Sequence, residues 1–218
     1  EQNSVPGVTN RILGRVVRRV FGAFAESRQH FPARKVTLPG NPVRRDIVEQ
    51  LVARSGAAAA ANGRLRVFAF GGSQGAMRLN EIVPAALATL PEEIRPEIIH
   101  QTGERTLETA RESYRATGVA ADIRPFIDDM AAAYEWADLA ICRAGALTVT
   151  ELAAAGLGAV LIPFPAAVDD HQTRNAEFLV RAGAARIIKE SELSPAGLAE
   201  VLRPMLADPE ERRRMALA

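Results

Sequence analysis

From residue 65 onward, apolar and polar positions alternate between two patterns. Short segments at 65–70, 97–101, 123–126, 139–142, 159–164 and 185–188 read as strands, the first opening on the apolar run of Leu65, Val67, Phe68, Ala69 and Phe70. Between them, apolar positions recur at helical spacing over 76–90, 104–117, 130–136, 146–155, 169–182 and 194–207. A last helix starts near Pro209, a good first-turn residue. Short apolar strands without internal alternation predict a parallel sheet covered by helices on both faces. The predicted fold class is therefore α/β, a Rossmann-like parallel sheet.

The first part of the chain breaks that rhythm. Pro6-Gly7 marks a turn, and Thr9 is a candidate cap for a helix over 10–25. Ile12, Leu13, Val16, Val17, Val20 and Phe21 give that helix one apolar face, and Arg11, Arg15, Arg18 and Arg19 decorate it. A basic amphipathic helix can touch an anionic membrane, but a solvated outer face is the simpler reading. Its apolar face needs a partner surface, so it is predicted to be detached, swapped or packed on a neighbour. Residues 35–38 read as a strand, and Pro39-Gly40-Asn41-Pro42 as a stiff connector near a domain boundary. A short helix at 46–54 and an alanine-rich surface loop at 56–62 follow.

Composition narrows the function classes. With 48% apolar residues the chain can build a full core. A formal net charge of +1 makes no electrostatic case for nucleic acid. Cys142 is the only cysteine, so neither a disulfide framework nor a cysteine metal cluster is available. No apolar run is long enough to cross a bilayer as a helix. The chain opens at Glu1 rather than Met and stops at Ala218 inside a charged helical pattern, as expected of a piece of a longer protein.

Ligands of open parallel sheets sit beyond the carboxyl ends of the strands. The polar and glycine-rich residues gather at the corresponding strand-to-helix turns. Gly71-Gly72-Ser73-Gln74-Gly75 follows the first strand of the alternating region. Such a turn offers backbone N–H groups to a phosphate, with the Ser73 hydroxyl beside them; it also serves as a tight connection and nothing more. Arg143-Ala144-Gly145-Ala146 opens a second helix, on which Thr148 and Glu151 share a face. Glu151 is either a first-turn acid favouring the helix dipole, the simpler reading taken alone, or an acceptor for a ribose diol. Asp169 and Asp170 precede a helix as candidate caps, with His171 and Gln172 as candidate sugar contacts. Asp169, Asp170 and His171 are poorly spaced for a metal. Asp128 and Asp129 read better as loop acids, one capping the next helix, than as an acid–base pair. His30, His100 and His171 lie in unrelated contexts, and Cys142 reads as core.

Taken in order, EQNSVPGVTN at the start, GNPVR at 40–44, GGSQGA at 71–76, FIDDMAAAYEWADL at 126–139, CRAGALTVTELAAAGL at 142–157 and DHQTRNA at 170–176 resemble the MurG family of N-acetylglucosaminyltransferases. The resemblance covers nearly the whole chain. It implies the GT-B fold, two Rossmann-like domains facing a cleft, with this chain supplying the C-terminal one. It implies an inverting transfer of N-acetylglucosamine from UDP-N-acetylglucosamine to lipid I, giving lipid II in peptidoglycan synthesis, with no cofactor and no metal. Nucleic acid is not an expected partner, and membrane association is expected to be peripheral, at the cytoplasmic face of the bacterial inner membrane. Residue by residue, Ser73 resembles the family's phosphate-contacting serine, with Gly72 and Gln74 beside it as further substrate-binding candidates, and Ile127 resembles the position whose backbone meets the uracil edge. Ala146, Leu147 and Thr148 resemble the helix start that holds the diphosphate, and Glu151 the ribose ligand. Gln172 resembles a sugar contact, and Asn3 and Arg44 further donor contacts. The loop Ala166-Ala167-Val168 is more apolar than the family's usual run, and His171 stands where glutamine is common.

The resemblance divides the chain into residues 1–38 from an acceptor-binding domain, 39–200 as the UDP-sugar domain, and 201–218 as helices returning toward the acceptor side. The catalytic base and the lipid acceptor site are expected outside this sequence. Alone, the 218 residues are expected to transfer no sugar. Two alternatives remain at this point: a related GT-B transferase with another lipid or natural-product acceptor, and a non-catalytic UDP-sugar-binding module.

Overall fold

The computed structural model describes residues 1–54, 63–167 and 170–218, without the side chains of 50–54. The expected loop at 56–62, and Val168 and Asp169, lie outside the described residues.

The chain begins with α1 (Val8–Val16), β1 (Val20–Phe21), β2 (Val36–Thr37) and α2 (Arg45–Arg54). The alternating region follows: β3 (Arg66–Phe70), α3 (Met77–Ala88), β4 (Glu97–Gln101), α4 (Leu107–Thr117), β5 (Asp122–Arg124), α5 (Met130–Trp136) and β6 (Leu139–Cys142). It ends with α6 (Ala146–Ala155), β7 (Ala159–Leu161), α7 (His171–Ala182), β8 (Ala185–Ile187), α8 (Pro195–Ala207) and α9 (Pro209–Leu217).

Strands β3 to β8 form one parallel sheet in the order β5-β4-β3-β6-β7-β8. The chain starts this sheet in the middle, builds outward to β5, then crosses back to β6 beside β3. That reversal is the doubly wound topology, and it opens a crevice where β3 and β6 end together. Phe70 and Cys142 are register partners there, so the turns that follow them lie side by side.

The central strands β3, β6 and β7 are buried on both faces, which explains why they read as short apolar runs. Phe68 and Phe70 point to one face, into a core with Tyr134, Val149, Leu152 and Leu179. Their rings stack at 4.5 Å, and Tyr134 sits edge-on to both at 6.0 Å. Val67 and Ala69 point to the other face, against Leu79, Val83, Leu198 and Met205. Helices α2, α5, α6 and α7 cover the first face, and α3, α4, α8 and α9 the second. Met215 of α9 is buried in that second layer.

The amino-terminal segment differs from its sequence reading. The helix starts after Gly7, without Thr9 as its cap, and stops at Val16 rather than running over 10–25. Val20 and Phe21 instead pair in parallel with Val36 and Thr37. Gly14 lies so close to the Phe31 ring that an added Cβ would sit 2.4 Å from it, so α1 packs on its own chain. Val8, Ile12, Leu13 and Val16 remain exposed. Among the other helices, α5 and α6 keep their expected bounds, whereas α4 starts at Leu107 rather than at residue 104. Asp129 caps α5 by accepting from Ala132 N, and Ser194 caps α8 by accepting from Gly197 N.

Candidate functional site

The crevice at the carboxyl ends of β3 and β6 is a cleft of about 710 Å³. Its walls are the turn after β3, the start of α3, the turn after β6, and the segments after β7 and β8.

The first wall is the Gly71–Gly75 turn, closed by a hydrogen bond from Gly75 N to Gly72 O at 2.9 Å. Gly75 has φ +72°, and its Cα rests against the carbonyl of Thr102 at the end of β4. That carbonyl also accepts from Asn80 Nδ2 of α3, and Asn80 donates again to Thr106 Oγ1. Arg105 Nη2 donates to Gln74 Oε1 at 2.9 Å. The turn is thus braced from beneath by the neighbouring strand end, which keeps its upper side open. Helix α3 starts from Ala76 without a side-chain cap. Its first N–H groups are left for another acceptor.

The second wall begins at Arg143. Helix α6 starts from Gly145, also without a side-chain cap. Ala144 N donates to Gln172 Oε1, and Phe164 N donates to the same oxygen at 2.9 Å. Two N–H donors fix the orientation of that carboxamide, because only its oxygen can accept them. Asn175 Nδ2 donates to Ala144 O and to Asn3 Oδ1, and Asn175 Oδ1 accepts from Ser4. Asn3 therefore reaches this turn through Asn175.

The Arg143 guanidinium donates to the carbonyls of Ile162 and Pro163, lies 5.4 Å from the Phe164 ring centre, and is ion-paired with Glu190. Both partners are largely buried and both line the cleft. Arg78 and Glu81 on α3 complete the rim.

Outside the cleft lining, α6 also carries Glu151. Glu151 accepts from the Tyr134 hydroxyl at 2.9 Å. Burial raises the Glu151 carboxyl above its ordinary range, while the Tyr134 hydrogen bond and the nearby Arg44 charge oppose that rise. Burial, and then the Glu151 charge, push the Tyr134 phenol well up, so it stays a donor. Arg44 is exposed and held by Asp46 at 2.5 Å. That hydrogen bond is the main reason its guanidinium is raised further. Ile127 is buried and Leu147 exposed.

Of the residues singled out in the sequence, Gly72, Gln74, Thr148 and Gln172 line the cleft itself. Ser73 is exposed at the tip of the first turn. Asn3, Arg44, Ile127, Ala146, Leu147 and Glu151 stand outside the cleft lining; Ala146, Leu147 and Glu151 are on α6, Arg44 is within electrostatic reach of Glu151, and Ile127 lies between β5 and α5. Asp170 adopts φ +52° ahead of α7 and accepts from Thr173 Oγ1, without capping the helix. Among the described residues, no group of His, Cys, Asp and Glu is arranged to hold a metal ion. Sequence reasoning assigns no role to Arg143, Glu190, Asn175 or Tyr134. For Arg143 the available signal is its place directly after a central strand.

Residues 66–218 match the glycosyltransferase family 28 C-terminal domain. The chain belongs to this family. Its relatives include two proteins, from Alkalilimnicola ehrlichii and Nitrosococcus oceani. Each is named UDP-N-acetylglucosamine--N-acetylmuramyl-(pentapeptide) pyrophosphoryl-undecaprenol N-acetylglucosamine transferase. The first is 53% identical over 216 residues, which span 99% of this chain and 59% of the relative. The second is 53% identical over 208 residues, 95% of this chain and 57% of the relative. The crystal structure of Acinetobacter baumannii MurG superposes with a TM-score of 0.80 at 40% identity, over 100% of this chain and 60% of that one. The chain thus spans about three fifths of the length of the curated relatives it matches. Its six-stranded sheet and surrounding helices are the C-terminal domain of a GT-B glycosyltransferase.

Proposed function

We propose that the cleft at the β3–β6 crevice binds UDP-N-acetylglucosamine as a glycosyl donor. The observation that carries this reading is the pair of uncapped helix starts, α3 and α6, opening side by side onto one cleft. Each presents unpaired N–H groups and the positive end of a helix dipole. A diphosphate between them satisfies both. As the glycosidic bond breaks, negative charge grows on the departing UDP, and dipoles already aimed at it lower the barrier without reorganising.

In this reading Gly72, Ser73 and Gln74 meet the phosphates from one side, and Ala146, Leu147 and Thr148 from the other. Ile127 takes the uracil edge through its backbone, Glu151 the ribose hydroxyls, and Gln172 the sugar. Asn3 and Arg44 flank the donor. The full-length protein, by this proposal, transfers N-acetylglucosamine with inversion to the undecaprenyl-diphospho-muramyl acceptor that its relatives' names describe. The proposal assigns residues 1–38 to the acceptor-side domain, 39–200 to the donor domain, and 201–218 to helices returning toward the acceptor side. The acceptor and the catalytic base belong to polypeptide that the relatives carry beyond the match. Among the described residues no helix is long and apolar enough to cross a membrane. Association with the cytoplasmic face of the inner membrane is accordingly proposed as peripheral.

Calorimetry with UDP tests the site. Ser73→Ala and Glu151→Ala should each weaken binding, by about tenfold for one charge-assisted hydrogen bond. Unchanged affinity in both variants rejects the assignment.

A further inference from the structure

Tyr134 is 2% exposed, on α5, with its ring edge-on to Phe68 and Phe70 at 6.0 Å. That packing fixes where its hydroxyl points. The hydroxyl meets Glu151 Oε2 at 2.9 Å, and no other hydrogen bond reaches the Glu151 carboxylate among the described residues. One oxygen is therefore held by a rigid donor from the core, while the other is left for a ligand.

We propose that Tyr134 is the positioning residue for Glu151: it clamps Oε2 so that Oε1 presents a fixed lone pair to the ribose hydroxyls. The proposal rests on the donor-site reading above. Its physical basis is that a glutamate side chain has several rotors to freeze before it can accept a diol well. Tyr134 freezes them before the ligand arrives, so binding does not bear that entropy cost. A hydrogen bond donated to the ionised carboxylate also favours that form. The charged groups facing Glu151 are Arg44 and Asp46, at the start of α2, whose effects oppose each other. Arg44 is also within electrostatic reach of Asp129.

The test is calorimetry of wild type and Tyr134→Phe with two probes, UDP and 2′,3′-dideoxy-UDP, across pH 5 to 8. Phe keeps the ring and removes only the hydroxyl, and thermal melting checks that the fold is retained. Tyr134→Phe should weaken UDP by about tenfold, one hydrogen bond to a charged group. It should leave dideoxy-UDP unchanged. UDP binding by the variant should also fall off at higher pH than in wild type, because its carboxyl protonates earlier. In the Glu151→Gln background the Tyr134→Phe effect should shrink. Equal weakening of both probes would mean that Tyr134 only supports packing, and overturns the proposal. Unchanged UDP binding overturns it as well. If wild type binds no UDP, the donor-site reading itself fails and takes this inference with it.

Discussion

Two glycines in the same turn make a sharp physical test of how the cleft is built. Gly72 and Gly75 have φ of +83° and +72°, so alanine at either strains the backbone. That strain costs about 1 kcal/mol where nothing else intervenes. Gly72 faces open space, with nothing within 4 Å of an added Cβ. At Gly75 the added Cβ would lie 2.0 Å from Thr102 O and 2.9 Å from Thr106 Oγ1. The obstacle there is a backbone carbonyl at the end of a buried strand, which cannot swing aside like a side chain. Overpacking of this kind adds about 1–3 kcal/mol. Displacing the carbonyl also disturbs its hydrogen bond from Asn80, worth about 1 kcal/mol. Urea unfolding followed by circular dichroism should therefore show a loss of about 1 kcal/mol for Gly72→Ala and about 3–5 kcal/mol for Gly75→Ala. UDP calorimetry should show a large loss for Gly75→Ala, since the turn must lift from its support. If the two variants fall within about 1 kcal/mol of each other, the turn is not held against Thr102 and its preorganisation is disproved.

Burial holds the His100 imidazole down at about 3, against an ordinary 6.5, so it is neutral in the folded chain. Its contribution to stability is present above 6.5 and is lost as pH falls toward 3, by about 1.4 kcal/mol per unit. His100→Gln should flatten the decline in melting temperature between about pH 6.5 and 4.5, and an unchanged decline rejects the assignment. Gln172 braces two turns with its oxygen and lines the cleft. Gln172→Met should lower stability by about 1 kcal/mol, through the partly buried Ala144 N–H left unpaired, while the exposed Phe164 N–H turns to water. Gln172→Glu should keep that bracing but lower the affinity ratio of UDP-N-acetylglucosamine to UDP; a preserved ratio removes Gln172 from sugar recognition.

Most of the sheet is legible in the sequence because its central strands, β3, β6 and β7, are buried and carry their signal locally. Residues 97–101, 130–136, 139–142 and 146–155 coincide with the observed elements. The amino-terminal helix reads too long for a specific reason. Val17, Val20 and Phe21 continue the helical spacing of Ile12, Leu13 and Val16, so local periodicity gives no stop. The break comes from the parallel pairing of Val20 and Phe21 with Val36 and Thr37, a contact between distant segments. Helical spacing cannot register a competing strand partner that lies beyond its own window.

The candidate site divides along the same line. Glycine turns after strands are written in consecutive residues, so GGSQG and the start of α6 stand out from the amino-acid order alone. What makes those turns rigid is written elsewhere in the chain. Arg143 is fixed by Glu190 from the turn after β8, and the Gly71–Gly75 turn by Thr102 at the end of β4. Glu151 is fixed by Tyr134 across 17 residues, and Ser4 is held by Asn175 across 171. Each of these partners looks ordinary in its own sequence window. A ligand contact needs only the right group at a strand end, whereas preorganisation needs a second group that folding brings to it. Residues that touch a ligand can therefore be found by motif, and residues that aim them must be found by packing. Tyr134→Phe separates the two roles experimentally, because it leaves every proposed contact residue in place and removes only the aim.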